Sequence, residues 1–68
     1  METKDLENRF TYHTPDLDDI EKYADIRATA LGFSVVINNL CPESREKSLA
    51  ITKLEEVVMW ANASIARN

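Results

Sequence analysis

The stretch RFTYHTP at residues 9–15 places an arginine, two aromatic rings, a histidine and two threonines within seven positions. A tyrosine ring in a loop can stack on a nucleobase, and an arginine can hold a phosphate through two parallel hydrogen bonds. The alternative is that these rings close the end of a helical core as apolar plugs. The neighbouring residue types favour the plug for Phe10 and leave both roles open for Tyr12.

No pattern of an enzyme or a metal site accompanies this stretch. His13 has no serine or cysteine beside it in a nucleophile motif, and Cys41 precedes a proline, where a hydrophobic or capping role is expected. Glu55 and Glu56 are adjacent, so on a helix they diverge by about 100° and do not face each other. The acidic run at 16–25 lacks the glycine of a calcium loop and is interpreted as a solvated helix start. The sequence therefore predicts a binding protein rather than an enzyme, with no metal and no cofactor.

The first of two long predicted helices begins among three aspartates, Asp16, Asp18 and Asp19, and ends at Leu40. Acidic residues suit the positive end of the helix dipole. The apolar residues of this segment recur three and four positions apart, which is typical of one helical stripe. The stripe consists of Tyr23, Ile26, Ala30, Phe33, Ile37 and Leu40.

The second helix is predicted to follow at once, with Pro42 in its first turn, where the missing N–H costs nothing. A second stripe has the same spacing and consists of Ile51, Leu54, Val58, Ala61 and Ile65. Two stripes joined by a short turn predict an antiparallel helical hairpin, preceded by a short helix at about residues 3–9. The predicted fold is therefore all-α, with a single domain over residues 1–68.

The small size of the chain argues for self-association. A chain of 68 residues buries only about 60% of its unfolded surface, and such domains usually need a disulfide, a metal or a partner. Cys41 has no second cysteine, and with His13 it makes too few ligands for a structural zinc. Apolar residues outside the stripes also need cover, namely Ala24, Ala28, Leu31, Val35, Val57 and Trp60. One alternative is that the short N-terminal segment folds over these residues, but ten residues cannot mask two long helices. We therefore predict a compact homo-oligomer; a second alternative is a small helical module that binds another protein through the same surface.

Charge and hydropathy restrict the partners further. The formal net charge of −4 works against general attraction to DNA or RNA. No apolar run approaches the roughly 20 residues of a membrane span, and the first ten residues lack the apolar segment of a secretory signal. We therefore expect a soluble intracellular protein without nucleic-acid or membrane partners.

The run CPESREKSLAITKLEEVVMWANASIARN at 41–68, with RFTYH at 9–13, resembles the phage anti-CBASS cyclic-oligonucleotide sponges, the second anti-CBASS protein family. SREKSLA, TKLEE and the final WANASIARN carry the likeness. YADIRATA at 23–30 fits the family pattern of an aromatic residue followed by an Ile-Arg pair, whereas GFSVVINN at 32–39 departs from it.

The resemblance implies a helical homo-oligomer, expected to be a hexamer, that acts in the host bacterial cytoplasm. It implies binding without cleavage of cyclic dinucleotides such as cyclic GMP-AMP and of cyclic trinucleotides, so that immune effectors stay inactive. Carried onto this chain, the dinucleotide contacts fall on Tyr12, as a base-stacking ring, and on Arg27, as a phosphate ligand. Thr29 and Arg67 are the corresponding candidates for the trinucleotide pocket.

Overall fold

A computed structural model of the chain describes residues 1–11 and 14–68. Within them lie three α-helices and no strand: α1 at Thr3–Phe10, α2 at Leu17–Leu40 and α3 at Arg45–Arg67. α2 and α3 pack against each other along their lengths as an antiparallel hairpin. The all-α prediction, with a short N-terminal helix before a hairpin, is confirmed.

α2 begins with a capping box among the predicted aspartates. The backbone N–H of Asp19 donates to Asp16 Oδ1 at 2.8 Å, and the N–H of Asp16 donates to Asp19 Oδ2 at 3.4 Å. Each carboxylate thereby satisfies a backbone donor that the first helical turn leaves without a partner. The helix ends as predicted before the proline, where the Cys41 N–H donates to the Ile37 carbonyl at 3.0 Å.

The start of α3 differs from the prediction, because Pro42 lies in the connecting turn and not in the first turn of the helix. The N-cap is Ser44, whose backbone is extended at φ −168° and ψ 166°. Its Oγ accepts a hydrogen bond from the Lys47 N–H at 3.1 Å. A serine hydroxyl satisfies an early helix donor, which proline cannot do, so the helix begins after Ser44 and residues 41–44 reverse the chain direction.

Lys47 closes this turn from the α3 side. Its side chain is buried, and Nζ donates to the Asn38 carbonyl at 3.1 Å and to Glu43 Oε1 at 2.6 Å. The Asn38 carbonyl is one of the last four of α2, which have no acceptor role within their own helix. An ammonium group also suits the negative end of the α2 dipole, so Lys47 fixes the end of one helix to the beginning of the next.

The contact between the two helices, here called the seam, follows the predicted stripes with two exceptions. The α3 stripe is partly buried throughout, and so are Tyr23, Ile26, Ala30 and Ile37 of α2. Phe33 and Leu40, predicted to lie on the same stripe, are 56% and 78% exposed, and Ser34 is the partly buried residue one turn after Ala30. The real helical period of 3.6 residues moves Phe33 to the edge of the seam and Ser34 onto it.

The hairpin is a single layer of helices with two open faces. The Cα atoms of the whole chain extend over 47 × 30 × 11 Å, so the shortest dimension is about the thickness of one helix, whereas stable domains usually enclose a core between at least two layers. No hydrophobic side chain of the described residues is buried. The accessible surface is 5704 Å², compared with about 4,400 Å² for a compact monomer of this mass.

Candidate functional site

The arginines among the described residues carry the candidate anion-binding groups. Three ion pairs occur in this part of the chain, and each of them uses a lysine: Lys22 with Asp18, Lys47 with Glu43 and Lys53 with Glu56. The four arginines, Arg9, Arg27, Arg45 and Arg67, are exposed. Guanidinium groups without a carboxylate partner are available for phosphate, to which they can donate two hydrogen bonds in one plane.

Arg27 and Thr29 lie on opposite sides of the hairpin layer. They are two positions apart in α2, so their side chains point about 160° apart around the helix. Thr29 lines a groove on one face, whereas Arg27 is exposed on the other side of the seam. A single protomer therefore does not bring these two residues into one pocket.

Tyr12 and Arg67 complete the predicted set. Tyr12 lies outside the described residues, as does His13. Arg67 is the last residue of α3 and is exposed, at the end of the helix where a cation is favoured by the dipole. In the antiparallel hairpin this end of α3 lies toward the N-terminal half of α2.

The groove that contains Thr29, here called the major groove, has a volume of about 500 Å³. Its walls come from one side of α2 and one side of α3, and they are apolar except for Asp25 and Thr29. The complete lining is Asp25, Ile26, Thr29, Ala30, Phe33, Leu54, Val57, Val58 and Ala61. The volume lies within the range of small-ligand pockets, yet the near absence of polar groups favours an apolar occupant over a nucleotide phosphate.

A second, smaller groove of about 160 Å³ includes Leu31, Ile51 and Glu55 in its lining. Leu31 and Glu55 lie on the opposite side of the seam from Thr29 and Val57, as the helical period requires. Each face of the layer therefore carries its own groove along the seam.

The acidic groups at the start of α2 serve the helix itself. Carboxylate oxygens of Asp16, Asp18 and Asp19 lie within 4.8 Å of one another, but two of the three residues form the capping box. The third, Asp18, accepts from Lys22 Nζ at 2.9 Å. The hydrogen bond and the charge of Asp18 raise the pKa of Lys22 above its ordinary value. These contacts account for the cluster as a helix start, as the sequence predicted.

Sequence reasoning missed two features of this surface. Lys47 was not singled out, although the α3 stripe extended one turn backwards reaches position 47 and so predicts a seam residue there. The major groove was also missed, because Phe33 was assigned to the closed stripe and not to an open wall.

The side-chain oxygen Oδ1 of Asn62 is buried and has no hydrogen-bond donor among the described residues.

None of the described helices is long and apolar enough to cross a membrane.

Comparison with known proteins places the chain in a family. The family model described as "Acb2/Tad1, hairpin domain" matches residues 1–66. No significant match was found among curated proteins or among solved structures. The match includes residues 32–39, which depart from the family pattern in the sequence, as well as 41–66, which carry much of the resemblance. The chain therefore belongs to the Acb2/Tad1 hairpin-domain family, the family of the anti-CBASS sponges.

Proposed function

We propose that this protein is a phage anti-CBASS sponge that binds cyclic dinucleotides, such as cyclic GMP-AMP, and cyclic trinucleotides without cleaving them. The observation that carries the proposal is the family match over residues 1–66. By holding these signals in the host bacterial cytoplasm, the protein would keep the immune effectors inactive. It needs no cofactor and no metal for this role.

Self-association is the first physical requirement of the proposal. The exposed apolar residues and the single-layer shape support it, because an accessible surface of 5704 Å² is well above the value of about 4,400 Å² for a compact monomer. We propose a homo-oligomer, with the hexamer of the resemblance as its expected form.

The exposed arginines support binding of an anion by a chain of net charge −4. A cyclic dinucleotide carries two bases and two phosphates in approximate two-fold symmetry, which matches two copies of one tyrosine and one arginine across a symmetric interface. We assign the stacking ring to Tyr12 and the phosphate contact to Arg27. Thr29 and Arg67 are assigned to the trinucleotide pocket. The negative charge of the assembly disfavours DNA and RNA as ligands.

The exposed apolar faces also favour a second candidate function, that of a helical module that binds another protein. The two functions differ in the state of the purified chain. A sponge built between protomers requires an oligomer, whereas an interaction module would be a monomer or small dimer whose apolar faces await a different chain. Light scattering after size-exclusion chromatography distinguishes them.

The proposed function is tested by calorimetric titration with a panel of cyclic di- and trinucleotides, followed by heat denaturation and chromatography of the released ligand. We expect saturable binding and recovery of the intact cyclic ligand. A linear product would show that the protein is a phosphodiesterase. No binding of any cyclic nucleotide by a properly assembled protein would refute the sponge function.

A further inference from the structure

We infer that Glu55 is a specificity-determining residue that selects guanine in the cyclic dinucleotide site. The inference rests on the proposed function, because it names the base that belongs to the phosphate held by Arg27. Three observations support it: the composition of the second groove, the hydrogen-bonding character of its polar side chains, and the position of Arg27 on the same face of the hairpin.

The second groove has the composition of a pocket for a nucleobase. Its volume is about 160 Å³, and Leu31 in its wall is 65% exposed, so a flat group can lie against it. A base combines apolar faces, which such walls cover, with a polar edge that needs hydrogen-bond partners. The apolar part of the lining consists of Ala30, Leu31, Ile51, Leu54 and Val58.

The polar side chains of this lining, Ser34 and Glu55, both offer acceptors. Ser34 Oγ donates its proton to the Leu31 carbonyl at 2.7 Å, so toward a ligand this hydroxyl can only accept. Glu55 is exposed and forms no ion pair within the described part of the chain, and a carboxylate is also an acceptor. A groove whose polar groups accept selects a base whose edge donates.

Guanine has the edge that fits this groove best. Its N1–H and its 2-amino group are adjacent donors that point the same way, so the two oxygens of the Glu55 carboxylate can accept both in one plane. Adenine and cytosine place a ring-nitrogen acceptor beside their amino group, and uracil places carbonyl oxygens on both sides of its N–H. These acceptors face the carboxylate without a proton between them, which disfavours the three other bases.

Arg27 lies where it can hold the phosphate of the same ligand. It is on the same side of α2 as Leu31 and one turn, about 6 Å, before it. Side chains lean toward the N-terminus of their own helix, and because α2 and α3 are antiparallel, Arg27 and Glu55 lean away from each other. They form no ion pair, so a nucleotide can lie between them with its phosphate at the guanidinium group and its base edge at the carboxylate.

The carboxylate also acts against the wrong ligands. Glu55 repels the phosphates of any cyclic dinucleotide, and the two donors of guanine offset this repulsion, whereas adenine does not. Selection by an unfavourable contact with the competitor is a common source of specificity. One face of the base packs on the groove, and the other stays open to the ring that we assign to Tyr12.

The inference is tested by calorimetric titration of the full-length protein with cyclic di-GMP and cyclic di-AMP. We expect the parent protein to bind cyclic di-GMP at least about fivefold more tightly, the lower limit for one bidentate contact to a base. Glu55→Gln keeps the size of the side chain but places an amide donor opposite a guanine donor. It should reduce this preference at least about fivefold, mainly through weaker binding of cyclic di-GMP.

Glu56→Gln is the matched control, because it makes the same chemical change about 100° around α3, at a residue already paired with Lys53 at 3.3 Å. It should leave the preference within about twofold of the parent value. A second measurement needs no variant: cyclic di-IMP lacks only the 2-amino groups and should bind the parent at least about fivefold more weakly than cyclic di-GMP.

The outcomes separate this inference from the sponge function. If the parent binds cyclic di-GMP and cyclic di-AMP equally, or if Glu55→Gln keeps the oligomer mass and the preference of the parent, Glu55 does not select the base, although the sponge function stands. Equal binding of cyclic di-IMP and cyclic di-GMP also overturns the inference. If the parent binds no cyclic dinucleotide at all, the inference fails together with the function on which it rests.

Discussion

The turn between α2 and α3 pairs its polar groups within the chain. The outer faces of the same two helices leave apolar side chains and arginines without partners among the described residues. In the turn, a buried ammonium group, a helix-end carbonyl, a serine hydroxyl and a carboxylate all find partners within about ten residues of one another. On the outer faces, large apolar side chains such as Leu31, Val57 and Trp60 remain about 60% exposed, and the arginines have no carboxylate partner among the described residues.

This difference separates structural residues from residues that await a partner. A group that the chain satisfies internally contributes to the fold, and its loss lowers the stability of the monomer. A group that the chain leaves open contributes little until a ligand or another protomer covers it. Trp60, which the sequence analysis placed among the apolar residues that need cover, is 59% exposed and so is not a core residue of its own hairpin.

The largest effect should come from a charge placed in the seam. Ala30→Glu puts a carboxylate among residues that line both grooves, and an unpaired charge there should cost more than about 4 kcal/mol, enough to unfold a chain with so small a core. Ala28→Glu is the matched change on the exposed side of the same helix and should keep the helical circular dichroism while it reduces the oligomer mass. If Ala30→Glu melts cooperatively at the melting temperature of the parent protein, the seam is not closed as described. If Ala28→Glu keeps the oligomer mass of the parent protein, the opposite side of α2 is not a contact between chains.

The hairpin was predictable because its periodicity is strong and its boundaries have clear chemistry. The aspartates before α2 are good N-caps, and the α3 stripe, which includes Ile51 and Leu54, keeps its spacing over four turns. The errors are local. Ser44 was overlooked as a cap in favour of Pro42, and Phe33 and Leu40 were assigned to the seam because a strict three-four spacing hides the drift of a helix with 3.6 residues per turn.

The candidate site was less predictable, for a physical reason. Sequence periodicity reports which residues a chain buries against itself, whereas the proposed ligand contacts are made between chains. Exposed residues such as Arg27 and Thr29 therefore lie on no stripe, and only the family resemblance singles them out. The roles of Tyr12, Arg27, Thr29 and Arg67 stay predictions.

The second largest effect should follow loss of the Tyr12 ring. Stacking on a base is worth about 1–3 kcal/mol, and two copies in a symmetric site give about 2–6 kcal/mol, so Tyr12→Ala should weaken cyclic dinucleotide binding by at least about 30-fold. Tyr12→Phe keeps the aromatic face and should retain most of the affinity. Calorimetry of variants with the parent's mass measures both. If the Tyr12→Ala protein assembles and binds the cyclic dinucleotide as tightly as the parent, the ring does not stack on a base and serves only as an apolar plug.

A comparable effect is expected for the phosphate contact. Arg27→Ala should weaken dinucleotide binding by about 1.5–3 kcal/mol for each of the two copies, the usual value of a hydrogen bond to a charged group. Because Arg27 is exposed, its removal should not lower the melting temperature of the protein. Titrations at low and high salt supply the control, since affinity should lose part of its salt dependence in Arg27→Ala and keep it in Tyr12→Phe. A loss of affinity that is the same at all salt concentrations would argue against a charge contact.

The smallest effect should appear in the turn itself. Lys47→Met keeps the apolar stem but removes both hydrogen bonds of Nζ, and it leaves the Asn38 carbonyl without its donor, so the free energy of unfolding should fall by about 1–3 kcal/mol. Glu43→Gln retains an oxygen acceptor for the same ammonium group, and because the Glu43 side chain is 90% exposed the loss of charge should cost less than about 1 kcal/mol.

Urea unfolding of the two single variants and the double variant measures the coupling between these residues. The loss in Lys47→Met should exceed that in Glu43→Gln, because most of it comes from the helix-end carbonyl and not from the ion pair. If the two single variants lose the same free energy of unfolding, and the double variant loses no more than either, the stabilisation comes from the ion pair. Lys47 would then have no separate role at the end of α2.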